Sequence, residues 1–85
     1  MRVVTTADFD RSLQELPASV RRLCAVQMTR LAADRRDPRL HLKKLHGLDG
    51  VYSFRVTRSY RALFYMSAAD DLVLFEIDDR KDVYR

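Results

Sequence analysis

Between Arg39 and Arg61 the chain carries six Lys/Arg (Arg39, Lys43, Lys44, Arg55, Arg58 and Arg61) against one acid, Asp49. Outside that stretch acids and bases nearly cancel, with seven bases and five acids before it and three bases and six acids after it. The net charge of +4 is therefore local. A local cationic surface on a small domain suits a phosphate-bearing partner. A solvated basic loop would have the same composition. What separates the two is that some of these cations fall inside strand patterns, where a sheet would hold them in place.

The elements that must position them are few. Eighty-five residues make one domain, residues 1–85, large enough to fold alone but with a modest core. The apolar share of 47% is ordinary, the charged share of 33% is somewhat high, and the sequence pI near 9.6 fits nucleic acid or an acidic protein partner. The single cysteine, Cys24, excludes an internal disulfide and a CxxC site. No apolar run approaches membrane-spanning length, and the N-terminus lacks a signal-peptide core. The expectation is a cytoplasmic protein with no membrane partner.

Arg2 to Thr5 reads as a strand. Thr5 and Asp8 fit a capping box, and Phe9, Leu13 and Leu16 then form one helical stripe. Pro17 opens a second helix, predicted from Ala18 to about Arg35. Its stripe is Val20, Cys24, Met28 and Leu31, widened by Leu23 and Ala32. Asp37-Pro38 stops it. These two amphipathic helices form an αα-hairpin that must cover something else.

The C-terminal half supplies that surface. Tyr52, Phe54 and Val56 alternate with polar positions, as do Tyr60, Ala62, Phe64 and Met66. Leu72 to Ile77 is nearly all apolar and reads as a central strand. The core-facing sets of the first two strands must share a face, which places Val56 opposite Ala62 and leaves Arg58-Ser59-Tyr60 as the connection. Ser53, Arg55, Arg61, Leu63 and Tyr65 then share the other face. Arg55 and Arg61 converge there, away from the helices, where they repel unless an anion sits between them. The charged tail from Asp78 to Arg85 reads as a frayed terminus, except that it carries an aromatic, Tyr84.

The order of strand, two helices, Lys44-Leu45-His46-Gly47, Tyr52 to Val56, Tyr60 to Tyr65 and Arg80 to Tyr84 resembles the RelE/ParE toxin superfamily, and specifically its RelE-type messenger-RNA endonucleases. The resemblance spans nearly the whole chain. It implies an α+β fold, a twisted antiparallel sheet of about four strands with the helical hairpin on one face and the active surface on the other. It implies the toxin of a type II toxin–antitoxin pair that enters the 70S ribosome and cuts mRNA, with no metal and no cofactor. The RNA's own 2′-hydroxyl attacks the adjacent phosphate, giving a 2′,3′-cyclic phosphate or 3′-phosphate and a 5′-hydroxyl. The catalytic set it implies is Arg61, Arg80, Tyr84 and Arg55. Guanidinium groups would stabilise the charge on the phosphate, and Tyr84 would donate a proton or stack on a base. Lys43, Lys44, His46 and Arg58 would hold RNA. The partner it implies is a cognate antitoxin that folds on binding, in a complex that can assemble to higher order.

The chain departs from the family pattern where two lysines are usual: Ser53 and Arg55 stand there. Arginine does not give up its proton, so Arg55 can bind phosphate but is a poor general base. His41, His46 or Glu76 could serve, or rate could come from electrostatics and alignment. Asp78-Asp79 puts two acids beside an anionic substrate. Two other readings stay open: a ParE-like inhibitor of DNA gyrase that cuts no RNA, and an inactive binding module with the toxin fold. As simpler assignments, Arg61 would be a surface cation, Tyr65 strand packing and His46 a solvated turn residue.

Overall fold

The computed structural model describes residues 1–79. Chain order is β1 (Val3–Thr5), α1 (Ala7–Gln14), α2 (Ala18–Ala33), a 3-10 turn (Pro38–Leu40), β2 (Lys43–Lys44), β3 (Val51–Arg55), β4 (Tyr60–Met66) and β5 (Leu72–Asp79). The strands form one sheet in the order β1-β5-β4-β3-β2. The α+β architecture is the expected one, but the sheet has five strands rather than about four and is mixed. β1 runs parallel to β5, pairing Val3 with Leu72 and Thr5 with Leu74, while the remaining pairs are antiparallel. β5 has a neighbour on both sides, β1 along Leu72 to Leu74 and β4 along its length, while the middle strand is β4.

The first helix starts one residue later than the capping-box pattern predicts. Thr5 stays in the strand, paired with Leu74. Thr6 takes the N-cap in extended conformation, and its Oγ1 accepts from Phe9 N at 3.1 Å. Asp8 falls in the first turn, where a carboxylate suits the positive end of the helix dipole. Phe9 is fully buried, and Leu13 and Leu16 pack partly buried beside it.

Pro17 is the N-cap of α2, and the helix stops at Ala33, short of Arg35. Asp34 explains the stop. Its carboxylate accepts from Arg36 N at 2.9 Å and its carbonyl from Asp37 N at 3.0 Å, so a local turn replaces another helical turn. Val20, Cys24 and Leu31 face the core as predicted. Leu23 does not widen the stripe, being 47% exposed; the position in line is Gln27, which is buried.

Helix residues Phe9, Val20, Cys24 and Leu31 meet Phe54, Phe64, Leu72 and Leu74 from one face of the sheet. Each such apolar side chain contributes roughly 1.5–3 kcal/mol by leaving water. Burial pushes the Cys24 thiol up to about 11, as befits a small core hydrophobe.

The β3–β4 register differs from the predicted one by two residues. Phe54, not Val56, lies opposite Ala62, and Arg55 lies opposite Arg61. Thr57 sets this. Its Oγ1 accepts from Ser59 N at 3.0 Å and Tyr60 N at 3.1 Å, closing the loop over Thr57-Arg58-Ser59 and releasing Tyr60 into the strand. An even shift leaves every side chain on its predicted face. β5 carries a β-bulge: Leu63 pairs with Glu76 and Phe64 with Leu74, so Phe75 is the extra residue. The turn from β2 to β3 uses Gly47 and Gly50 at φ of 82° and 74°, a region side-chain-bearing residues disfavour.

Candidate nucleic-acid interface

The sheet face away from the helices can be read as rows of directly opposed residues. The first row is Arg55, Arg61 and Asp78 across β3, β4 and β5. The second is Lys43, Ser53, Leu63 and Glu76 across β2 to β5. The third is Val51, Tyr65 and Val73, with Phe75 against Tyr65. Opposed side chains in such rows have Cβ atoms roughly 4.5–5.5 Å apart.

Arg61 is the anchor of the first row. It is only 9% exposed, and its Nη1 donates to Ser53 Oγ at 3.3 Å. Ser53 is itself 1% exposed, so the hydroxyl is a fixed acceptor rather than a solvated one. Arg55 stands beside Arg61 in the same row, with its Nε buried and without a hydrogen-bond partner among the described residues. Two guanidinium groups opposed this way repel each other, and an anion between them relieves the repulsion. The predicted convergence of Arg55 and Arg61 on one face is therefore present, at closer range than the predicted register gave.

The other predicted residues divide. Lys43 sits opposite Ser53 and shares the cationic face; Lys44, opposite Tyr52, belongs to the other face by alternation. Arg58 is exposed on the loop that joins β3 to β4, next to the Arg55–Arg61 end. His46 is exposed in the turn after β2, toward the Val51 end of β3 and so remote from Arg55. His41 is exposed at the end of the 3-10 turn, in left-handed conformation with φ 47°. Of the three proposed proton acceptors, Glu76 is the one the register puts on the cationic face, one row from Arg61. Asp78 lies directly across from Arg61, whereas Asp79 pairs with Tyr60. Arg80 and Tyr84 lie outside the described residues.

Two positions escaped the sequence reading. Ser53 was placed on the face it shares with Arg61 but given no role there beyond that of a missing lysine. Gln27 is 6% exposed on α2. Its Nε2 donates to the carbonyls of Arg39 at 2.8 Å and Arg55 at 2.7 Å, and its Oε1 accepts from Arg30 Nη1 at 3.0 Å. One amide thus ties the helix layer to the backbone beneath Arg55 and to the loop that leads into β2. The signal was its spacing, three residues after Cys24 and four before Leu31.

Not every cation of the basic stretch is available to a ligand. Arg39 is held by Asp37 at 2.7 Å, and its hydrogen bonds draw the Asp37 carboxyl down to about 2. Among the described residues no group of three or more His, Cys, Asp or Glu is placed to hold a metal ion, and no helix is long and apolar enough to cross a membrane.

Solved structures share this architecture. The archaeal RelE of a RelE–RelB complex from Pyrococcus horikoshii OT3 superposes with a TM-score of 0.76 at 20% identity, over 93% of this chain and 93% of that one. A YoeB/ParE toxin from Agrobacterium tumefaciens gives 0.77 at 17% identity, over 93% and 98%. The RelBE2 toxin–antitoxin complex of Mycobacterium tuberculosis contains a chain at 26% identity with a TM-score of 0.67, over 93% and 96%. No family model and no curated protein matches the sequence.

By its fold, then, the chain is of the class that these RelE, YoeB and ParE toxin structures share. Within that class it is similar to RelE and YoeB toxins over nearly the full length of both partners.

Proposed function

We propose that this chain is the toxin of a type II toxin–antitoxin pair and acts as a ribosome-dependent, metal-independent mRNA endoribonuclease. The observation that carries this reading is the pairing of Arg55 with Arg61 on the sheet face opposite the helices, with Ser53 holding the Arg61 guanidinium. In-line attack of a 2′-oxygen on phosphorus forms one P–O bond and breaks the bond to the 5′-oxygen. Charge grows on the two other phosphate oxygens, where fixed guanidinium groups stabilise it. The 2′-hydroxyl proton needs an acceptor and the leaving 5′-oxygen a donor. Asp78, across from Arg61, and Glu76, one row away, are the carboxylates the register puts on this face to accept the proton. Tyr84 is the donor the family resemblance implies, and positioning on the ribosome supplies alignment. The solved relatives in complex with RelB support a cognate antitoxin as the physiological partner.

A ParE-like action on DNA gyrase is the second reading. It is favoured by Asp78 across from Arg61 and by the lack of a lysine at Ser53 and Arg55. Brief expression followed by mapping of the 5′ ends of cellular mRNA separates the two. Cuts at codon positions of translated messages, abolished by Arg61→Ala, support the endoribonuclease. Intact messages with DNA damage select gyrase inhibition. Harmless expression, with messages and DNA both intact, selects the inactive binding module.

A further inference from the structure

The β-bulge in β5 breaks the alternation of side chains so that Phe75 meets Tyr65 on the face away from the helices, while Phe75 and Glu76 also border Asp8, Arg11, Ser12 and Glu15 of α1 at the sheet's edge. Bulges of this kind re-aim a side chain. Here the re-aimed ring is Phe75, which meets Tyr65 with centroids 5.6 Å apart and planes tilted by 48°. Tyr65 remains 40% exposed in the middle strand of the sheet. Val51 and Val73 lie on either side of it in the same row, giving an apolar floor. Along β4, Tyr65 is four residues from Arg61, roughly 13–14 Å at the rise of an antiparallel strand.

We propose that Tyr65 and Phe75 form a base-stacking subsite for single-stranded RNA, on the same face as the phosphate-binding pair Arg55 and Arg61. This rests on the nucleic-acid reading above and adds where the neighbouring base goes. The face is polarised: Lys43, Arg55 and Arg61 lie on β2 to β4, and Glu76 and Asp78 lie on β5. The acids repel a phosphate backbone, so the backbone runs over β3 and β4. The bases turn toward β5, where the aromatic pair is. A stacked base is uncharged and tolerates the neighbouring carboxylates. If the pair instead only stabilised the sheet, as cross-strand aromatic pairs do, it would leave RNA affinity unchanged.

Anisotropy with a fluorescein-labelled single-stranded RNA oligomer tests this on the full chain. Tyr65→Leu and Phe75→Leu are each expected to weaken binding roughly 5- to 150-fold, the range for one stacked base. Tyr65→Phe should bind like the parent. The slope of affinity against salt should stay the same in these variants, because no phosphate contact is lost, and should fall in Arg55→Ala. An abasic nucleotide walked through the oligomer should cost the parent affinity at one position and cost Tyr65→Leu nothing further there. That walk on the parent decides the matter even where a leucine variant fails to fold. Folded leucine variants with parental RNA affinity, beside a weakened Arg55→Ala, overturn the subsite alone. An antitoxin peptide losing affinity while RNA does not overturns it in favour of a protein-docking role. No RNA binding by the parent, or binding indifferent to both arginines, overturns the subsite, while the ribosome-dependent reading is decided separately by the mapping of mRNA 5′ ends.

Discussion

Arg61 owes part of its fixed geometry to Ser53. A guanidinium that is nine-tenths out of water holds its geometry only if its N–H groups find acceptors, and Ser53 Oγ is one of them at 3.3 Å. The serine standing where the family usually has a lysine is therefore a holder rather than a gap. Ser53→Ala leaves a buried charged donor short of a partner, which costs about 1–3 kcal/mol of stability. Urea denaturation should show that loss. RNA affinity should also fall more in Ser53→Ala than in Ser53→Thr, which keeps the hydroxyl. Equal affinities for the two variants would mean that Arg61 is positioned by its strand alone. The Asp37 carboxyl, drawn down to about 2 by Arg39, gives a second prediction at this scale. A depressed carboxylate contributes stability that is fully present above its ordinary value near 3.8 and is lost as pH falls toward 2. Asp71, lowered by its hydrogen bond from Arg2, adds in the same direction. The midpoint of thermal unfolding should drop between pH 4 and pH 2, and Asp37→Asn should flatten part of that drop.

Among the elements, α2 does more than cover the sheet. Gln27 on its buried side bonds the Arg39 and Arg55 carbonyls, so the helix fixes the end of β3 from which Arg55 projects. Gln27→Leu keeps the volume but leaves those carbonyls unpaired, at about 1–3 kcal/mol for each buried group. Chemical denaturation measures the sum, and faster amide exchange at Val56, just past the end of β3, than within β3 would locate it. Gln27 also shows where sequence reading stops. Apolar spacing on α2 and alternation in β3 and β4 were legible because each places side chains by geometry alone. The face shared by Ser53, Arg55, Arg61, Leu63 and Tyr65 followed directly. Gln27 was missed because a polar residue on a stripe carries no sign of what it will bond across 28 residues of chain. The register missed by two residues because Thr57, a side chain within the loop, chose which loop closes. The two-residue strand β2 and the bulge at Phe75 were missed because neither has a period long enough to detect.

At the scale of the molecule, the two sides of the sheet differ in chemistry. The helix side holds the aromatic and aliphatic core, and the other side gathers the cations on β2 to β4 with acids along β5. An asymmetric charge layout of this kind sets how binding responds to salt. For single-stranded nucleic acid each neutralised phosphate contributes a slope of about −0.7 in log affinity against log salt. Lys43, Arg55, Arg58 and Arg61 are the cations placed on or beside the face, while Arg39 is engaged by Asp37. Contacts from these alone give a slope of roughly −3, and Arg58→Ala should lower its magnitude by about 0.7. Arg39→Ala should leave it unchanged. Titrations from low to physiological salt measure all three. A slope that responds to Arg39 as strongly as to Arg58 would place the nucleic acid over the 3-10 turn instead of the sheet.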